Sequence, residues 1–270
     1  MNTSDERLKE DYEVRFEYLK HLVNLMNDIF LAAWGKYGTG KMRMYPHRQL
    51  CMGTLIVARH NTEATIHLIE KKLIHQVHYI SRSMLELTIN LYYILDDKSE
   101  RDARLERYML YSDEVLPRKA LMAKRKYPDA FKGGISEQQG EVKEKRYRDF
   151  LERYSNSSTP NVNTQSWSGM TMDKMIVGIL NKETRKELQT LYDLIIKSNN
   201  FYLHPSWYYL KNAVVGTTKA DRDYQESIAM MTMLFMAAEK VVSKFLENFP
   251  KGRIAFVARM RDISKWFRGQ

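Results

Sequence analysis

Long runs of apolar residues at helical spacing, in a chain of 270 residues with only 12 glycines and 6 prolines, constrain this sequence most. Strands need turn residues every few positions, and glycine and proline are the usual ones. Long helices need few. The expected fold is all-α: one helical bundle spanning 1–270, built of long, mostly antiparallel helices. Its core is expected over about 48–248, with 249–270 as a basic C-terminal helical extension.

Phe16, Leu19, Leu22, Val23, Met26, Ile29 and Phe30 predict a helix over 4–34. Ser4 stands where a cap would, with Asp5 and Glu6 in the first turn. The stretch from Gly35 to Pro46 is expected to break that helix. Two more are expected over about 48–70 and 73–96. No glycine or proline separates them, so either they run on or they break near Lys71–Lys72, and the break is favoured. Further helices are expected over 98–126, with a kink at Pro117, and over 136–155, 171–180, 183–199 and 222–248. The clear long loop is 155–169. No repeat of fixed period occurs.

Composition excludes some functions. Apolar residues at 44% can fill a core, and charged residues at 28% argue against a membrane protein. No stretch nears the ~18–20 apolar residues of a spanning helix. The charged start MNTSDERLKEDYE lacks an apolar signal core, so a cytoplasmic location is expected. A lone cysteine, Cys51, leaves no internal disulfide and no zinc ribbon. The net charge of +10 suits RNA or another polyanion as partner, and equally suits a generally basic surface.

The richest candidate site lies in HQVHYISRSMLELTINLYYIL (75–95). His75, His78, Arg82, Glu86 and Asn90 recur at steps of three or four, which puts them turn above turn on one face. The rest of that helix is apolar, so the stripe is expected to be partly buried. Arg82 and Glu86 can pair across one turn. Two readings follow: a structural ion pair that orients neighbouring helices, or a cleft in which Arg82 binds anionic oxygens and a histidine moves a proton.

Other motifs are weaker. GKYGTGK (35–41) has phosphate-loop spacing, but Met42 replaces the magnesium-binding hydroxyl and a helix precedes it; a helix-terminating loop is expected. His75-x-x-His78 is a usable metal spacing, yet the paired E-x-x-H of di-iron bundles is missing, so neither metal nor cofactor is expected. His204 precedes Pro205, which bends the chain and can aim the imidazole into a cleft. In 251–270, Phe256, Met260, Ile263 and Phe267 form an apolar stripe opposite Arg253, Arg259, Arg261 and Arg268. That helix is expected to dock on the bundle; contact with nucleic acid, a membrane surface or a partner helix is the alternative.

The motifs Arg82-Ser83-x-x-Glu86, Trp167-Ser168-Gly169 and Tyr192…Ser198…His204-Pro205-Ser206 together resemble a large family of uncharacterised helical bacterial and archaeal proteins, over roughly 50–210. That resemblance implies an all-α fold with Arg82, Glu86 and His204 as matching polar positions, and supplies no reaction. A more distant likeness is to the HEPN ribonucleases of toxin and phage-defence systems, marked by arginine, four to six residues, then histidine. Arg15…His21 fits that spacing. No arginine stands so before His204, and a site from Arg82 and His204 departs from the HEPN pattern.

Two functions are therefore expected. One is a binding or assembly protein, with phage defence as a setting, that takes a nucleic acid, a nucleotide, a protein partner or a second copy in a polar cleft. The other is a metal-independent HEPN-like ribonuclease. In that case Arg82 binds phosphate, His204 or His78 acts as acid and base, and Glu86 orients them. His78, Asn90 and Ser198 are the candidate substrate-binding residues.

Overall fold

A computed structural model describes residues 3–37, 44–115, 167–197, 220–249 and 253–268, with scattered helical positions between 126 and 152. The fold is all-α, and no strand occurs among the described residues. The helices are α1 (Thr3–Tyr37), α2 (Pro46–Glu70), α3 (Ile74–Leu95), α4 (Arg101–Leu110), α5 (Met172–Val177), α6 (Lys182–Tyr192), α7 (Ala220–Asn248) and α8 (Arg253–Phe267). Both α4 and α6 widen into a π-type turn, at Tyr111–Val115 and Asp193–Lys197. Pro117, Ser198, His204 and the aromatic segment 201–212 lie outside the described residues. No described helix is long and apolar enough to cross a membrane.

The chain divides into two compact units, Met1–Tyr93 with Ile179–Gln270, and Ile94–Gly178. In the first, α1, α2 and α7 pack on one another, and α8 lies on α1 and α7. Leu19, Leu22, Leu25 and Met26 of α1, Leu55 of α2 and Leu234, Phe235 and Val241 of α7 are all fully buried. The first helix thus belongs to the core, whose expected start was near residue 48. It also runs through Gly35 rather than ending there. Glycine in a helix costs only ~1 kcal/mol, too little to stop one whose Ala33 is still packed.

The break between α2 and α3 falls at Lys71–Lys72, and the backbone shows why. The Leu73 N–H donates to the Leu68 carbonyl at 2.8 Å and the Lys72 N–H to the Ile69 carbonyl at 2.9 Å. These are the paired bonds of a Schellman cap, which needs a left-handed residue between them. Lys72 supplies it with φ 57°, where glycine is usual.

The C-terminal helix docks as its apolar stripe predicts. Met260, Ile263 and Phe267 are buried, and the Phe267 ring stacks on Phe235 of α7 with centroids 3.9 Å apart. Arg15 of α1 closes the joint. It donates to Asp11 at 2.8 Å and to the Thr232 hydroxyl at 3.2 Å, and its guanidinium lies 5.2 Å over the Phe267 ring.

In the second unit, Tyr108 of α4 meets Trp167 edge to face at 5.1 Å. The Asp97 carboxylate accepts from the Ser99 hydroxyl at 2.6 Å, and that bond holds its pKa below the usual value.

Candidate functional site

The polar stripe of α3 splits in two. At ~100° per residue, steps of three and four drift to either side of the helix axis. His78 drifts inward. It is only 2% exposed, and its Nε2 lies 3.1 Å from Glu226 Oε1 on α7. Below it, the same side of α3 makes a seam with α7. The Thr88 hydroxyl donates to its own helix at Met84 O, 2.8 Å away, with the Ala237 carbonyl of α7 3.4 Å distant. The Tyr92 hydroxyl donates to the Lys240 carbonyl at 3.1 Å. Ala237 and Ala238 are fully buried here. Ser81 is also fully buried in α3, and its hydroxyl has no hydrogen-bond partner among the described residues.

Arg82 and Glu86 drift outward. Arg82 Nε donates to Glu86 Oε1 at 3.0 Å, and their side chains are 35% and 41% exposed. The pair stays within one helix, so it is not the strut between helices that the sequence allowed. The guanidinium uses one of its three nitrogens in this bond. Its two terminal amino groups have no partner among the described residues. Beside the pair stand Ser83, exposed, and Tyr79, 55% exposed. This open face therefore offers an oriented cation, a carboxylate, a hydroxyl and an aromatic ring. Asn90 is half-buried further along α3. His75 lies in the first turn.

The structure thus brings Arg82 and Glu86 together and turns His78 away to α7. It says nothing of His204 or Ser198. Two participants escaped the sequence. Glu226 carried no signal, because its partner stands 148 residues away. Tyr79 did carry one: it stands three residues before Arg82 in the sequence, which places it beside Arg82 on a helix.

Other candidates have structural roles. Arg15 is committed to Asp11, Thr232 and Phe267, while His21 is exposed and stands by Tyr18 at 5.7 Å. Gly35–Tyr37 of the phosphate-loop-like stretch are helical, so the strand such a loop needs is replaced by α1; residues 38–43 lie outside the described ones. Trp167-Ser168-Gly169 is a turn. The Ser168 hydroxyl accepts from the Met170 N–H at 3.2 Å, and Gly169 has φ 69°, which side-chain-bearing residues avoid. Cys51 is fully buried, and burial pushes its thiol up to about 12. Among the described residues, no group of three or more His, Cys, Asp or Glu could hold a metal ion.

With the geometry in place, comparison with other proteins gives one match. A family of unknown function, DUF5677, matches residues 48–222. The chain belongs to that family. The match takes in α2, α3 and α6, so the Arg82–Glu86 face lies within the DUF5677 region, whereas α1, α8 and nearly all of α7 lie outside it. The likeness to an uncharacterised helical family, drawn from short motifs, is met at that level. No curated protein and no solved structure matches the chain.

Proposed function

We propose that this chain is a helical binding module that takes a single-stranded RNA on the open face of α3. The observation that supports this reading is the guanidinium of Arg82. Glu86 holds it by Nε alone, which leaves its two terminal amino groups directed by one bond and available for another. A phosphate accepts two parallel N–H bonds from such a fork. Tyr79, half exposed one turn away, offers a face on which a base can stack, worth ~1–3 kcal/mol per base. The net charge of +10 adds long-range attraction for a polyanion.

Binding without cleavage fits this side of α3 better than catalysis. His78 is 2% exposed and held to Glu226, so it does not share the surface with Arg82. Fluorescence anisotropy with a labelled oligouridylate tests the reading. Arg82→Ala and Tyr79→Ala should each weaken binding at least tenfold. Unchanged affinity in both variants would end it. Cleavage of total RNA in EDTA by the wild type, lost in His204→Ala, would replace it with the HEPN-like ribonuclease.

A further inference from the structure

A cleft of about 460 Å³ opens between α7 and α8 within the first unit. We propose that it binds a nucleoside di- or triphosphate. This site is independent of the α3 face and lies outside the residues matched by the family.

Its acids are already satisfied. Glu239 accepts from the Ser264 hydroxyl at 2.7 Å and from Arg268 at 2.6 Å. Glu247 accepts from Lys244 at 2.9 Å. Its other cations are not. Arg253, Arg261 and Lys265 line the cleft and have no ion-pair partner among the described residues. They fall on one stripe of α8 at steps of eight and four residues, spread over roughly 18 Å at 1.5 Å per residue. The cleft thus carries uncompensated positive charge. The start of α8 adds to it. No acidic residue stands in its first turn, so the positive end of the helix dipole meets Arg253 rather than a carboxylate.

The floor points to more than an inorganic ion. Leu246 and Met260 are buried and Val257 is half-buried, giving an apolar surface between the cations. Clefts that hold small molecules fall at ~300–1,000 Å³, apolar with a few convergent polar groups. A phosphate tail on Arg261 and Lys265, with a base over Val257 and Met260, uses both features. The cleft's volume, about 460 Å³, is that of a site for one small molecule rather than a track for a strand.

Isothermal titration of the full chain with ATP and GTP, then with adenosine and pyrophosphate separately, tests the proposal. A nucleotide should bind saturably and more tightly than either fragment. The double variant Arg261→Ala/Lys265→Ala should bind at least tenfold more weakly with an unchanged melting temperature, since both side chains are exposed. Arg253→Ala, on the same stripe, should weaken binding too and serves if the double variant folds poorly. Arg82→Ala should bind nucleotide like the wild type. Absence of saturable binding at millimolar nucleotide would overturn the proposal, as would full affinity in both cleft variants. So would pyrophosphate binding as tightly as ATP. An RNA oligomer outbinding ATP, with loss in the double variant, would reassign the cleft to a strand.

Discussion

His78 and Arg82 stand one turn apart on α3, each beside a glutamate, and the two pairs have opposite surroundings. His78–Glu226 joins two helices, and the histidine is nearly sealed from solvent. Arg82–Glu86 joins two turns of one helix, and both side chains remain more than a third exposed. A buried polar contact is costly to break because water does not reach in to replace it. An exposed pair is cheap to break because water replaces the partner. Of the two, only the outer pair can greet a ligand without unpacking the bundle.

Substitutions can break this comparison. The largest effect is expected from His78→Ala. It empties a nearly sealed site in the α3–α7 seam and removes one hydrogen bond from Glu226, and urea unfolding should show a loss of about 3 kcal/mol. A loss below about 1 kcal/mol would mean that the pair is wetter than its burial implies. Ser81→Ala is expected to act in the other direction. It removes a fully buried hydroxyl that has no partner among the described residues, so stability should rise by about 1 kcal/mol in the same assay. Destabilisation there would show that the hydroxyl is bonded in solution. Arg82→Ala should have the smallest effect, about 0.3–0.5 kcal/mol, the worth of an exposed pair one helical turn apart. A loss as large as that of His78→Ala would return Arg82 to a structural role. It would also remove the basis for treating its face as a binding surface.

Much of the helical layout was readable from residues alone. The break at Lys71–Lys72 carries no glycine or proline, yet it falls where expected, closed by a left-handed lysine. The docked stripe Met260, Ile263 and Phe267 was also visible, because the same 3.6-residue period that makes a helix amphipathic names its buried face. Boundaries were less legible. α1 runs past Gly35, since a local helix-breaking tendency of ~1 kcal/mol yields to packing from elsewhere in the chain. The candidate site was half legible. Arg82–Glu86 needs only four residues of one helix to form, so its spacing foretold it. The separation of His78 from that pair was not legible, because polar residues at steps of three and four look equivalent until a second helix covers one side.

The sequence by itself determined that this chain is helical, that α2 and α3 part at Lys71–Lys72, and that Arg82 can reach Glu86. Those properties depend on periodicity and on contacts within a few residues. Only the tertiary structure decided that α1 is core and that His78 turns inward to Glu226. It also left Arg253, Arg261 and Lys265 of α8 beside an apolar floor with no ion-pair partner among the described residues. Such outcomes depend on which distant segment arrives opposite a given side chain, as Glu226 arrives 148 residues after His78. Burial, which sets the worth of a polar contact, is a property of that arrival and is written in no local stretch of sequence.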